Sequence, residues 1–178
     1  HCNVVDESDP ISSEDSMLSK SQSIWGYETN YGAFAEYTKV RASQLIRKPK
    51  ELEWKTAGSY CLTLSTAYRM LISQNAAQLK QGETCLIWGA AGGLGSFAVQ
   101  LCKLIGATSI AIVGSEEKKI LVEKLGADFV INRKSEEFKR FVKDDGSPDL
   151  LSRNIFSNYL KKQGCPEIDC IFEHVGAE

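Results

Sequence analysis

The stretch Gly89-Ala90-Ala91-Gly92-Gly93-Leu94-Gly95 constrains this chain more than any other part of it. It follows the continuous apolar run Thr84-Cys85-Leu86-Ile87-Trp88, as expected of a strand buried on both faces. It opens a segment in which Leu94, Phe97, Ala98, Leu101 and Ile105 recur at helical spacing, closed by Gly106. Ser109-Ile110-Ala111-Ile112-Val113 reads as a second buried strand. Ser115 then caps a second helix, with Glu116 and Glu117 in its first turn and Gly126 at its end. Phe129-Val130-Ile131 is a third strand, and Ile168-Asp169-Cys170-Ile171-Phe172 a fourth. The polar, Lys-rich stretch 133–166 between them is expected to hold one or two amphipathic helices.

This alternation is that of an α/β chain with a parallel sheet and helices on both faces. Right-handed crossovers then build one mononucleotide-binding half and begin a second, a partial Rossmann-like sheet. In the glycine turn, Gly92 lets backbone approach a pyrophosphate, and Gly95 lets the helix lie close on the sheet. The N–H groups of Gly93 and Leu94, with the helix dipole, would attract phosphates; Ala91, Gly92, Gly93 and Leu94 are the candidate cradle.

The end of the second strand selects the dinucleotide. An NAD site places Asp or Glu there for the ribose 2′-OH. This chain has Val113-Gly114-Ser115, with no acid. Ser115 can donate to a 2′-phosphate, Lys118 can reach back toward it, and Arg133 is a further cation past the third strand. Each charge-assisted contact of this type is worth roughly 1.5–3 kcal/mol. Glu116 and Glu117 would repel a phosphate if turned inward, and as helix-surface residues they are expected to face solvent. The reading is NADPH.

The remaining segments are less specific. Residues 1–23 are acidic and Ser-rich and read as a loop or loosely held arm. Ile24-Trp25-Gly26-Tyr27 and Gly32–Val40 alternate apolar and polar residues and read as short strands. Trp54–Ser73 favours helix, with an interruption near Gly58 or Thr63. At 178 residues and 43% hydrophobic the chain can bury a core as one domain or parts of two. Its opening His1-Cys2-Asn3 and ending Ala177-Glu178 suggest a segment of something longer.

Charge is balanced, 21 Lys+Arg against 23 Asp+Glu, which argues against a nucleic-acid binder held by bulk charge. No apolar run reaches the length of a membrane span. The six cysteines form no CxxC pair, and two histidines, His1 and His174, are too few for a metal cluster. Free thiols in a reducing, cytoplasmic compartment are expected, and no metal site.

Several blocks together resemble one family. Ile24-Trp25-Gly26-Tyr27-Glu28-Thr29-Asn30-Tyr31-Gly32, Leu86-Ile87-Trp88 with the glycine turn and Ser96, Val130-Ile131-Asn132-Arg133-Lys134, and Phe172-Glu173-His174-Val175-Gly176 are similar to crotonyl-CoA carboxylase/reductases. These form a branch of the medium-chain dehydrogenase/reductase superfamily, whose helix start near the nicotinamide is matched by Ser65-Thr66-Ala67-Tyr68-Arg69. The resemblance implies NADPH-dependent reduction of a short-chain enoyl-CoA at its β-carbon. In carboxylating members the enolate-like α-carbon then attacks CO2, giving an alkylmalonyl-CoA.

By the same resemblance, Tyr27 and Glu28 help organise the CO2 pocket. The family often has Phe at the first of these positions, where Tyr27 adds a hydroxyl. An Asn and a His of that pocket would lie outside this chain. Thr66 and His174 are cofactor residues near the nicotinamide, and the protein is a homo-oligomer. Residues 1–53 would be the C-terminal, β-rich part of a GroES-like catalytic domain, and 54–178 the N-terminal part of the NADPH-binding domain. A quinone or alkenal reductase of the same superfamily and a non-catalytic nucleotide-binding module are the alternatives.

Overall fold

The structure is a computed structural model that describes residues 3–4, 8–138, 153–174 and 176. It divides into two compact units, His1–Cys61 and Leu62–Glu178.

In the first unit, β1 (Asn3–Val4) pairs antiparallel with β2 (Ser23–Ile24). Between them lies α1 (Pro10–Glu14), with Pro10 in its first turn and the Asp9 carboxylate accepting from the Ile11 amide at 3.0 Å. Asp15 repeats the device, accepting from Met17 at the start of the 3-10 turn Ser16–Leu18. Ser19 donates to Asp9 at 2.6 Å. Asp9 and Asp15, expected as loop, are therefore caps of short helical turns.

The strands expected between Gly32 and Val40 are replaced by bends and loop. A strand needs a neighbour for its N–H and C=O groups. Among the described residues of this unit, the only ladder is the two-residue pairing of β1 with β2, and Phe34 and Tyr37 are exposed. The helical region resolves into α2 (Trp54–Ser59) and α3 (Cys61–Leu71), separated at Tyr60.

The second unit holds β3 (Thr84–Ile87), α4 (Gly93–Ile105), β4 (Thr108–Val113), α5 (Glu116–Leu125), β5 (Phe129–Asn132), α6 (Arg153–Lys162) and β6 (Cys170–Phe172). The strands form one parallel sheet in the order β5-β4-β3-β6. Alternating side chains build two cores, as the pleat requires. Cys85, Ile87, Ala111, Val113 and Phe172 pack with Ala67 and Leu71 of α3, Ala98 and Cys102 of α4, and Val122 of α5. Leu86, Ile110, Ile112 and Ile131 pack with Phe138, Leu160 of α6 and Cys165 on the other face.

The fourth strand is shorter than its apolar run. Asp169, expected within it, turns its carboxylate to the Thr84 amide (2.8 Å) and so sits at the strand's entrance. Of the polar stretch 133–166, the structure describes one helix, α6; residues 139–152 lie outside the described residues.

Candidate functional site

The strand order reverses direction at β3. The first crossover from β3 runs to β4 on one side, and β6 joins β3 on the other. In open α/β sheets the crevice beyond the strand ends at such a point is where ligands bind. The Trp88 amide donates to the Phe172 carbonyl at 2.9 Å, so β6 runs beside β3 to the mouth of the glycine turn.

The turn itself is tightly folded. The Gly92 amide donates to the Gly89 carbonyl (2.9 Å), and the Ala90 amide to Ile112 (3.1 Å). A Cβ on Gly95 would lie 2.4 Å from the Gly89 oxygen and 2.6 Å from the Ala90 Cα, so only glycine fits. This is the close helix-to-sheet approach expected of that position. Gly92 stands at the N-cap of α4 and offers no side-chain cap, and Gly92 and Gly93 are exposed. The amides of Gly93 and Leu94, at helix positions without an internal acceptor, face outward from an exposed helix start. Ala91 and Leu94 are half-buried beside them.

One wall of this mouth escaped the sequence reading. The Thr63 methyl carbon lies 3.2 Å from where a Gly93 Cβ would stand, so α3 closes over the helix start. Thr66 sits one turn further along α3, half-buried, its hydroxyl donating to the Leu62 carbonyl at 2.8 Å. The repeat of Thr63 and Thr66 one turn apart on α3 is the signal the sequence carried for this wall.

At the end of β4 lie the Ser115 hydroxyl, the Lys118 amide and the Arg133 guanidinium. The Ser115 hydroxyl accepts from the Lys118 amide (3.3 Å) as the cap of α5 and keeps its proton for a further acceptor. The Arg133 Nε and Nη2 lie 3.5 and 3.8 Å from the position of a Gly114 Cβ, so the guanidinium spreads over the Gly114 backbone. Neither Arg133 nor the Lys118 ammonium makes a side-chain hydrogen bond or ion pair among the described residues. Glu116 is exposed, as expected, and its Oε1 accepts from Asn132 Nδ2 at 2.7 Å, which ties the carboxylate to the end of β5.

His174 follows β6 at the same end of the sheet, its ring centroid 5.4 Å from that of Phe172. Tyr27 and Glu28 belong to the first unit. Glu28 Oε2 accepts from the Ile24 amide (2.7 Å) while its own amide donates back to Ile24 (2.8 Å). Gly26 donates to Thr29 Oγ1 at 2.8 Å, and the Trp25 indole donates to Lys39 at 3.0 Å. The Trp-Gly-Tyr-Glu block is thus a closed turn that leaves the Tyr27 ring exposed.

Residues 93–178 match the model of the zinc-binding dehydrogenase family. The chain is a homologue, along its full length, of crotonyl-CoA reductases and carboxylase/reductases. It is 42% identical over 179 residues to crotonyl-CoA reductase of Streptomyces collinus, covering 100% of this chain and 40% of that protein. It is 41% identical over 190 residues to crotonyl-CoA carboxylase/reductase of Cereibacter sphaeroides, covering 99% and 43%. The solved structure of the 2-octenoyl-CoA carboxylase reductase CinF from Streptomyces sp., in complex with NADP and 2-octenoyl-CoA, superposes with a TM-score of 0.82. That match is 43% identical and covers 99% of this chain and 40% of that one. The chain therefore spans about two fifths of the length of the curated relatives it matches.

The family description speaks of zinc. Cys85 and Cys102 are buried in the core and Cys170 is packed against it. No group of three or more His, Cys, Asp or Glu among the described residues is placed to hold a metal ion, and no step below runs through one. No helix among the described residues is long and apolar enough to cross a membrane.

Proposed function

We propose that this chain is the nucleotide-binding portion of an NADPH-dependent enoyl-CoA carboxylase/reductase, with a short-chain enoyl-CoA and CO2 as partners of the whole protein. Residues 1–53 are the end of its catalytic domain and 54–178 the beginning of its nucleotide domain. The whole protein works as a cytoplasmic homo-oligomer.

One observation supports this most. Arg133 lies over Gly114 and Lys118 stands in the first turn of the helix that Ser115 caps, neither side chain with a partner among the described residues, and both lie beyond an uncapped glycine helix start. Two cations and a hydroxyl suit the extra phosphate on the adenosine ribose. The diphosphate rests on the amides of Gly93 and Leu94, with Ala91 and Gly92 lining the approach. Thr66 and His174 border the nicotinamide end. NADPH, when bound, supplies the hydride for the β-carbon of the acyl chain. The chain's own contribution is to hold the nucleotide across the strand ends and fix its direction. Tyr27 and Glu28 serve the CO2 pocket.

A second reading, reduction without carboxylation, draws on Glu28: one of its two carboxylate oxygens is engaged by its own turn. Two measurements test these readings. Calorimetric titration with NADPH and NADH tests the nucleotide site; equal, weak binding of both overturns it. The product mass formed by the full-length protein from crotonyl-CoA, NADPH and bicarbonate decides between carboxylation and simple reduction. No turnover of any short enoyl-CoA would overturn both.

A further inference from the structure

We propose that Asn132 is a specificity-determining residue of the ribose corner: it holds the Glu116 carboxylate at the end of β5, so that Arg133 is left for a 2′-phosphate and NADPH is preferred over NADH. The inference rests on the NADPH reading and assigns the residue that sustains the preference.

The corner carries both kinds of recognition chemistry. An acid past the second strand of such a fold accepts from the ribose 2′-OH of NAD, and an arginine nearby suits the 2′-phosphate of NADP. Residues 113–115 hold no acid, but Glu116 follows at once, as the first residue of α5. Arg133 comes just after β5, and its guanidinium lies over Gly114, two residues before Glu116. Carboxylate and guanidinium thus stand around one short piece of backbone. Among the described residues they make no ion pair with each other.

Asn132 accounts for this. It ends β5 directly opposite Val113, the last residue of β4. Strand alternation puts its side chain on the same face as Val130, which packs in the core that Val122 of α5 closes. There Nδ2 donates to Glu116 Oε1 at 2.7 Å. The other end of the same amide is committed too, since Oδ1 accepts from the Lys134 amide at 3.0 Å. A backbone N–H can only donate, so that bond fixes which end of Asn132 is turned to Glu116. The Ser135 amide closes the turn on the Asn132 carbonyl (3.0 Å), and the Arg133 amide donates to Val113 (2.8 Å). One side chain therefore shapes the turn that presents Arg133 and restrains the acid that would compete for it. Asp at this position would have no donor for Glu116. Ser can cap the turn but is too short to reach across.

Released from Asn132, the Glu116 carboxylate can turn to Arg133 or to a ribose hydroxyl. Either move weakens NADPH, and the second strengthens NADH.

The test titrates NADPH, NADH and 2′,5′-ADP into the wild-type chain, Asn132→Ser, Glu116→Gln and the double variant. Asn132→Ser should lower the NADPH-to-NADH affinity ratio about fivefold at low salt, the range of an exposed charge pair, and by less as salt rises. Binding of 2′,5′-ADP should weaken with that of NADPH. In the Glu116→Gln background the same substitution should leave the ratio unchanged, because the side chain it releases carries no charge. Glu116→Asp releases the tether from the other side and serves if Asn132→Ser does not fold. It keeps the charge at an exposed helix start, where Asp is well tolerated, and falls one carbon short of Asn132. It should lower the ratio, whereas Gln raises it. An unchanged ratio in Asn132→Ser, an equal drop in the Glu116→Gln background, or a ratio raised by Glu116→Asp overturns the proposal and leaves the nucleotide site intact. Failure of the wild-type chain to bind NADPH and 2′,5′-ADP, or equal binding of NADPH and NADH, overturns the nucleotide reading and this one with it.

Discussion

A single carboxylate oxygen of Asp128 receives both the backbone amide of Ser109, at 2.8 Å, and the Ser109 hydroxyl, at 3.0 Å. The Asp128 amide returns a bond to the same hydroxyl at 3.2 Å. Asp128 precedes β5 and Ser109, fully buried, lies near the start of β4, so the pair fixes where these strands begin to run together. Asp169 does the same for β6 and β3 by accepting from the Thr84 amide, while its own amide donates to the Thr84 carbonyl at 3.0 Å. Replacing Asp128 with Ala leaves the Ser109 amide and the Ser109 hydroxyl proton without this acceptor, which should lower stability by roughly 1–3 kcal/mol. Asp128→Asn, which keeps one acceptor, should lose less. Urea unfolding of the two variants checks the order; equal losses would show that charge, not the acceptor, matters.

Gly95 and Gly58 should respond oppositely to alanine. At Gly95 the new carbon would stand 2.4 Å from a backbone oxygen, which side-chain motion cannot relieve. Gly95→Ala should push α4 off the sheet, destabilise the fold and abolish nucleotide binding together. At Gly58, inside α2, nothing lies within 4 Å, and alanine should raise stability by about 0.5–1 kcal/mol. Thermal melts of both variants decide the matter.

The cations at the end of β4 should carry the preference for NADPH. Lys118→Ala and Arg133→Ala should each weaken NADPH binding about tenfold or more and leave NADH nearly unchanged, as expected for a lost charge-assisted contact. Glu116, held near that corner by Asn132, opposes them. Glu116→Gln should tighten NADPH severalfold at low salt and steepen the loss of affinity at higher salt. An unchanged NADPH-to-NADH ratio in both cation variants would remove the ribose assignment.

Alkaline pH should loosen the sheet unit through its thiols. Burial raises the Cys165 and Cys170 thiols above the ordinary value of 9.0, and the Cys102 hydrogen bond together with burial holds Cys85 far above it. The unfolded chain releases these protons first, so the folded state is at full advantage below about 9 and loses ground as pH rises further. Urea midpoints measured under reducing conditions between about pH 7 and about pH 10 should be flat at first and then fall. Cys165→Ala should flatten part of the decline.

The parallel sheet was legible because its evidence is local. Apolar runs such as Thr84–Ile87 and Thr108–Val113, the helical stripe from Leu94 to Ile105, and Ser115 and Gly106 at helix ends each announce an element without reference to the rest of the chain. The expectation for Gly32–Val40 failed on the opposite ground. Alternation fits a strand only where a neighbouring strand exists, and this part of the chain bends instead around the Trp25–Lys39 bond.

The candidate site was readable to a similar limit. Its glycines and cations stand out by type and position. The Thr63 contact with Gly93, the tether from Asn132 to Glu116 and the clasp of Glu173 on Gly176 depend on distances between segments, which spacing along a chain does not encode. Glu28 shows the same limit within one turn, since the motif says that a carboxylate is present and not that the Ile24 amide engages one of its oxygens.

The backbone bond between Trp88 and Phe172 joins two stretches that are far apart along the polypeptide. A molecule lying from Ser115 past Gly93 to His174 would touch the ends of β3, β4, β5 and β6 at once. It would recognise only the finished assembly, because none of those ends alone makes the surface. Occupancy would then act as a brake on unravelling, deepening with the logarithm of ligand concentration, and the filled protein would outlast the empty one in the presence of a protease.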